Sequence, residues 1–271
     1  MNLPFLKMHG LGNDFVVVDA RHNDVQISLE LIRRIGDRRC GVGFDQLAII
    51  RCIDSKMHLS FFNQDGSSSM TCGNATRCIA HYLMNETGQS RLQLFTPRGV
   101  LETRAAADGL TSVNLGHPET GWSQIPLAKN VDTCHLPIDG DPIATGMGNP
   151  HCTFFVDNID TIELERIGSY HERHPLFPEH TNVQVAQVLS RDHIRVRVWE
   201  RGVGVTPASG SSASAVTVAA VRRDHCAKNV RVDLDGGTIW VEWSDDGVWS
   251  TGPTAHVFSG VLTAAFLGET A

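Results

Sequence analysis

Two stretches of this chain, 137 residues apart, follow one plan. Phe62-Asn63-Gln64-Asp65-Gly66 precedes Cys72-Gly73-Asn74 and then a helix-forming run, and Trp199-Glu200-Arg201-Gly202 precedes Ser209-Gly210-Ser211 and a second such run. In both, an aromatic residue stands ten positions before the Cys or Ser and a polar residue nine before it, and Phe62–Met84 and Trp199–Val221 have equal length. Loops of Gly and Ser recur by chance in many chains, so the matched offsets carry the inference of a duplicated strand, loop and helix. Two like halves are expected to pack about a pseudo-twofold axis with their loops across a cleft, since ligand pockets favour domain interfaces. Cys72 and Ser209 are then expected on opposite walls of one site. The expected halves are residues 1–116 with 256–271, carrying Cys72, and 117–255, carrying Ser209. A hinge is expected after Gly116, where Pro118, Gly121 and Pro126 interrupt regular structure.

The length of 271 residues allows one large domain or two, and 41% hydrophobic with 20% charged residues is the mix of a globular chain that buries a core. That excludes a disordered chain, a fibrous repeat and a disulfide miniprotein. Apolar runs such as Phe15–Val18 and Ala213–Val221 are too short to span a bilayer, and no basic-then-apolar leader is read at the N-terminus. With 23 basic and 30 acidic residues the net charge is −7, which argues against nucleic-acid and anionic-membrane partners. Arg33, Arg34, Arg38 and Arg39 are expected on a solvated helix face. Seven cysteines without a CxxC pair suggest free thiols and a cytoplasmic location. Cys72, Cys78 and His81 match no common zinc spacing, and no metal is expected.

Strands are expected over Phe15–Asp19, Leu47–Arg51, Leu92–Phe95, Ser112–Leu115, Thr153–Val156, Ile194–Trp199 and Ile239–Trp243. Helices are expected over Leu29–Asp37, Arg77–Asn85 and Ala213–Arg223. The fold class is therefore α+β with a strand-heavy body. Each duplicated loop ends where a helix begins, and the free N–H groups and dipole there suit a carboxylate. Gly73 and Gly210 allow close backbone approach. The same field favours a thiolate, so Cys72 is a candidate base or nucleophile, although free cysteines also serve as small buried hydrophobes.

These residues belong to a longer ordered series. Met8-His9-Gly10-Leu11-Gly12-Asn13-Asp14-Phe15, Gly41-Val42-Gly43-Phe44-Asp45-Gln46-Leu47 and Phe62-Asn63-Gln64-Asp65-Gly66 come first. Cys72-Gly73-Asn74, Gly148-Asn149-Pro150-His151-Cys152, Thr181-Asn182-Val183 and Glu200-Arg201-Gly202 follow. From about residue 5 to 258 the chain closely resembles the diaminopimelate epimerase family. The resemblance implies the diaminopimelate epimerase-like fold, two pseudo-symmetric halves each a β-barrel-like sheet around a central helix. It implies a cofactor-independent reaction on a small-molecule amino acid, in which one cysteine removes the α-proton and a second returns a proton to the opposite face. It also implies an isomerase of lysine biosynthesis, and is compatible with a homodimer. Residue by residue, Cys72 matches the first catalytic cysteine. Asn13, Gln46, Asn63, Asn149 and Asn182 match amides that hold the substrate. Glu200 and Arg201 match the pair that reads its far end. Gly73 and Asn74 match one carboxylate-binding loop, and Gly210 and Ser211 the other.

The departures cluster in the second loop. Ser209 stands where the family has its second cysteine, and Ser214 replaces another cysteine. Val205 takes the place of a glutamate, and Ala75 that of a glycine. A serine hydroxyl is much less acidic than a thiol, and no base adjoins Ser209 in sequence. One explanation is an engineered substitution, which would leave Val205, Pro207, Ser212 and Ser214 unaccounted for. Another is a relative that epimerises with Ser209 or a water on the second face. The third is a relative needing one base only, a lyase or isomerase, as in the proline racemase-like dehydratases and phenazine-pathway isomerases, by fold-level analogy. A racemase of a different amino acid and a non-catalytic binding homologue complete the alternatives.

Overall fold

The computed structural model describes residues 2–23, 25–70 and 72–268. The chain forms two units, Met1–Val113 with Pro253–Ala271, and Asn114–Gly252. The first contains β1 (Leu3–Gly10), β2 (Asn13–Asp19), α1 (Leu29–Gly36), β3 (Gln46–Ile53), β4 (Lys56–Asn63), β5 (Ser68–Ser69), α2 (Gly73–Thr87), β6 (Arg91–Thr96), β7 (Gly99–Ala105) and β8 (Thr111–Asn114). The second contains β9 (Ile143–Gly146), β10 (Pro150–Phe155), α3 (Leu164–Glu172), β11 (Asn182–Ser190), β12 (His193–Glu200), β13 (Gly204–Thr206), α4 (Gly210–Arg222), β14 (Asn229–Leu234), β15 (Gly237–Ser244) and β16 (Gly247–Gly252). The chain then returns to the first unit as β17 (Ala255–Leu262) and α5 (Ala264–Leu267).

Strand pairing repeats between the units. In the first, β2 runs parallel to β3, β3 antiparallel to β4, β4 antiparallel to β5 and parallel to β6, and β6 antiparallel to β7. In the second, β10 runs parallel to β11, β11 antiparallel to β12, β12 antiparallel to β13 and parallel to β14, and β14 antiparallel to β15. The helix follows the short fifth strand in one unit and its counterpart β13 in the other. This shared topology is a physical basis for the sequence echo.

In each unit the strands pack around one helix. In the first unit α2 packs against β1, β2, β6 and β7. The apolar run Phe15–Val18 is buried on both faces, as its lack of alternation requires. Phe15 and Val17 pack with Ala75, Ile79 and Leu83 of α2, and Val16 and Val18 pack with Ile32 and Ile35 of α1. Ser28 caps α1 by accepting from the Leu31 N–H at 3.2 Å. Gly88, at φ 70°, ends α2, its N–H bonded to the Met84 carbonyl at 2.9 Å. Only a residue without a Cβ takes that left-handed turn without strain.

In the second unit α4 packs against β9, β10, β11, β12, β15 and β16. Its small residues, Ala213, Ala215, Ala219 and Ala220, are fully buried and let the strands approach. Buried polar groups accompany them: His151, Thr153, Gln184, Ser212, Ser214 and Thr217 are all inaccessible to solvent. The inner layer of the second unit is thus partly polar where that of the first is mainly apolar.

Each expected strand overlaps an observed one, but α2 and α4 start earlier than expected, at Gly73 and Gly210. Gly and Ser are weak helix formers, and burial overrides that preference. Arg33, Arg34, Arg38 and Arg39 are all exposed, as expected, with Arg38 and Arg39 just past the end of α1. Arg38 pairs with Asp14 at 2.7 Å and Asp45 at 2.8 Å, and Arg33 donates to the Asp65 carbonyl at 2.6 Å. Among the described residues no helix is long and apolar enough to cross a membrane.

The Ser214 hydroxyl is buried and lacks a hydrogen-bond partner. A buried unsatisfied hydroxyl is destabilising, and alanine removes it with little change of volume. Ser214→Ala is expected to stabilise the protein by about 1 kcal/mol, read as a higher urea midpoint at unchanged slope.

Candidate functional site

Register decides which side chains meet. The parallel pairing of β2 and β3 matches Phe15 with Gln46, so both strands start at one end of the sheet. Antiparallel pairing of β3 with β4 then sets Gln46 opposite Asn63 and brings the end of β4 to the same place. Asn13, Gln46 and Asn63 therefore lie at neighbouring strand ends. Their amides interlock in pairs: Gln46 Nε2 donates to Asn63 Oδ1 at 2.9 Å, and Asn74 Nδ2 donates to Asn13 Oδ1 at 3.2 Å. Asn74 belongs to the first turn of α2, so the start of that helix joins the cluster.

Cys72 is the N-cap of α2, in extended backbone with φ −147° and ψ 104°, and its Sγ accepts from the Ala75 N–H at 3.4 Å. The thiol thus occupies the place a serine or aspartate usually takes at a helix start, where N–H groups and the dipole favour negative charge. It is partly exposed, whereas Cys78, nearly two turns on, is buried and its thiol is pushed up to about 11 by burial. Gly73 and Asn74 follow with backbone N–H groups that have no intrahelical acceptor.

A directional chain runs through this cluster. The Arg77 guanidinium donates through Nη2 to Asn74 Oδ1 at 2.9 Å. Asn74 then donates to Asn13, and Asn13 Nδ2 donates to Asp45 Oδ2 at 2.9 Å. Because a guanidinium only donates and a carboxylate only accepts, the two ends fix the orientation of both amides between them. Asp45 is held in turn by Arg38, and the neighbouring Asp14 by Arg38 and Lys7. Burial raises the Asp14 carboxyl, but hydrogen bonds and charge from Arg38 and Lys7 outweigh it and leave it below its ordinary value.

The second unit repeats the layout. β10 and β11 run parallel with His151 opposite Asn182, and β11 and β12 antiparallel with Val183 opposite Trp199. Asn149, Asn182 and Glu200 thereby come to neighbouring strand ends. Asn182 is buried and acts as a staple, its Nδ2 donating to the Pro150 carbonyl and its Oδ1 accepting from the Arg201 N–H, both at 3.0 Å. The Arg201 Nη1 donates to the Glu179 carbonyl at 2.9 Å. Ser209 is the N-cap of α4, but its side chain makes no cap hydrogen bond; its Oγ lies 3.5 Å from Ser211 Oγ. Gly210 and Ser211 open the helix, with Gly210 buried.

Several residues that received no role from sequence belong to these clusters. His151 is buried, with Nε2 2.9 Å from Asn149 Oδ1 and Nδ1 3.0 Å from Gln184 Nε2, and Gln184 donates on to Ser212 Oγ at 3.1 Å. Its only cue was a place in the Gly-Asn-Pro-His motif. Glu172, at the end of α3, accepts from the Trp199 indole N–H at 2.7 Å and the Gly202 N–H at 3.0 Å, steadying the turn that carries Arg201. Among the described residues no cluster of His, Cys, Asp or Glu is arranged to hold a metal.

The model of the family described as diaminopimelate epimerase matches residues 5–121 and 143–257. This chain belongs to the diaminopimelate epimerase family. The diaminopimelate epimerase of Rhodospirillum centenum is 45% identical to it over 271 residues, covering 97% of this chain and 93% of that protein. That of Acidiphilium cryptum is 46% identical over 271 residues, covering 97% and 98%. Among solved structures, the PhzF-family phenazine biosynthesis protein of Bacillus anthracis superposes with a TM-score of 0.69 at 15% identity, covering 97% of this chain and 99% of that one. At that identity the likeness is one of fold. Membership in the diaminopimelate epimerase family accounts for the ordered motifs along both units.

Asp14 yields a test of this geometry. Its carboxyl titrates lower in the folded chain than in the unfolded one, so it stabilises the fold above the unfolded value of about 3.9 and loses that contribution as pH falls through the folded value. Asp14→Asn is expected to lower the urea midpoint at pH 7, and the gap to the parent is expected to shrink progressively below pH ~4.

Proposed function

We propose that this chain is an amino-acid epimerase acting at the α-carbon without a cofactor, with Cys72 as base and diaminopimelate as substrate. Cys72 carries the reading: its thiol caps a buried helix beside the interlocked amides of Asn13 and Asn74. Family membership over nearly the whole length supports the substrate.

The chemistry needs three things from the chain's own groups. A base must take the α-proton; here the bond from Cα to hydrogen breaks, an S–H bond forms on Cys72, and the electron pair spreads into the α-carboxylate. That developing charge must be stabilised, and backbone N–H groups at Gly73, Asn74, Gly210 and Ser211 are suited to it because helix starts favour anions. A proton must then reach the opposite face, and the reading assigns this step to Ser209 or to a water it holds, replenished from solvent. At the far end of the substrate, Arg201 suits a carboxylate and Glu200 an ammonium group, by charge and by fork geometry. Asn13, Gln46, Asn63, Asn149 and Asn182 are proposed to hold the zwitterion, directly or, as the bonds of Asn182 suggest, by fixing the loops around it. A cytoplasmic location fits such a metabolic role, and a homodimer is compatible with it.

A second reading rests on Ser209. Its hydroxyl has Ser211 within reach but no cap hydrogen bond, and a serine does not ionise near neutral pH. If the second face is not served, the enzyme is a one-base lyase or isomerase of the same amino-acid class. Solvent deuterium separates the readings. An epimerase incorporates deuterium at Cα from either stereoisomer of diaminopimelate, a one-base enzyme mainly from one, and a binding homologue from neither.

Cys72→Ala is expected to cut exchange by at least ~10²-fold, the usual contribution of a positioned base. Ser209→Cys is expected to raise the rate of stereoinversion. Full exchange in Cys72→Ala would remove Cys72 from the mechanism.

A further inference from the structure

Arg77 lies in α2, five residues beyond Cys72, and is 1% exposed. Among the described residues its guanidinium donates from Nη2 to Asn74 Oδ1 at 2.9 Å and from Nε to the Pro253 carbonyl at 3.3 Å, and both acceptors are neutral. The absence of a side chain at Gly10 makes room for it, since a Cβ there would stand 3.0 Å from Nη2. Among the described residues no carboxylate forms an ion pair with it. A guanidinium does not shed its proton in a protein, so a full positive charge sits in the interior with no acidic partner among the described residues. Burial of that kind is costly unless a counter-charge is at hand.

Two thiols belong to the same helix, Cys78 next to Arg77 in sequence and Cys72 at the N-cap, two residues before the Asn74 that the guanidinium holds. Cys78 is sealed in the core, where burial keeps it protonated. Cys72 is partly exposed and already accepts an N–H at the helix start. Other ionisable groups on the elements packed against α2 have other partners or face solvent. On β1, Lys7 pairs with Asp14 of β2, and His9 accepts from the Gly12 N–H. Asp19 of β2 pairs with Arg21 and accepts from Tyr82, and His81 of α2 is bonded to Thr111 and Asn85. Arg91 of β6 and Glu102 of β7 are exposed.

We propose that Arg77 is a positioning residue whose buried guanidinium is the counter-ion of a Cys72 thiolate, and which at the same time orients Asn74 in the loop that follows that thiol. The role deepens the reading of Cys72 as a base and rests on it. One cation performs both tasks because the residues sit on a single helix. The charge favours loss of the thiol proton, and the Nη2 donor turns the Asn74 amide so that its own N–H points at Asn13.

The test is the rate of Cys72 alkylation by iodoacetamide as a function of pH, read at that cysteine by peptide mass spectrometry on the full chain. The parent is expected to titrate at least one pH unit below the ~8.5 of a free cysteine. Arg77→Met is expected to move the midpoint up by one unit or more, a roughly tenfold loss of thiolate at pH 7, with an unchanged near-ultraviolet circular dichroism spectrum. Arg77→Lys, which keeps a charge but not the fork, is expected to hold the midpoint within about half a unit while lowering kcat, since Asn74 loses its fixed donor. A parent midpoint at or above the ordinary value overturns the proposal, and so does an unmoved midpoint in folded Arg77→Met. Where Arg77→Met does not fold, Arg77→Lys decides: a retained midpoint supports the role and a lost one overturns it. Alkylation requires no turnover, so the two readings fail separately. A shifted titration without deuterium exchange on any amino acid sinks the epimerase reading alone, and active exchange with an unmoved titration sinks the role of Arg77 alone.

Discussion

A helix enclosed by strands can offer only its ends to a ligand. That constraint organises both units of this chain. Ile79 and Leu83 of α2, and Val216 and Ala219 of α4, are consumed by packing against the surrounding sheets. What remains is the first turn, where backbone N–H groups lack intrahelical partners and the dipole is positive. Parallel pairing of β2 with β3, and of β10 with β11, then delivers strand ends to the same edge as the helix start. Polar side chains at those ends meet without any long loop to carry them. Precision comes from registers that a sheet cannot change by one residue without turning its whole apolar face outward.

The two units satisfy their buried polar groups in different ways. The first uses charge at both ends of a short chain, from the Arg77 guanidinium through Asn74 and Asn13 to the Asp45 carboxylate, so each amide has one available orientation. The second has no carboxylate or guanidinium in its series, which passes through Asn149, His151, Gln184 and Ser212. The Asn149 amide oxygen only accepts and the Gln184 amide nitrogen only donates, so these neighbours set which imidazole nitrogen donates. The charge-ended series includes Asn74, two residues after the thiol, and the other leads to Ser212 in the first turn of α4.

Much of this was readable from residue order, and the unreadable parts have physical reasons. The run Phe15–Val18 announces a strand covered on both faces, and the echo of Phe62–Met84 in Trp199–Val221 announces repeated topology. α3 was not anticipated because Gly168 sits in its middle and reads as a breaker. The reason for that glycine is tertiary: a Cβ would lie 2.4 Å from the Trp199 ring, so the helix needs a gap there. His151 and Arg77 are silent for a related reason. A buried histidine or arginine has the same sequence appearance as an exposed one, and only the fold shows which acceptors it has been given. Asn182 was read as a substrate contact from its motif, yet its observed bonds tie two backbone segments together. A motif position identifies a residue that matters without distinguishing contact from support.

The first unit is assembled from both ends of the chain. β17 pairs with β1 from Leu3 opposite Leu262 to His9 opposite Ala255, so one edge of β1 stays open until residues 255–262 have been made. The second unit is contiguous and has all of its strands in hand earlier. During synthesis on the ribosome the later-encoded unit can therefore close first, while the earlier-encoded one waits with an exposed strand edge of the kind that invites misassociation. A truncation that removes β17 would leave that edge permanently uncovered, so the burden of guarding against misassociation falls on β1.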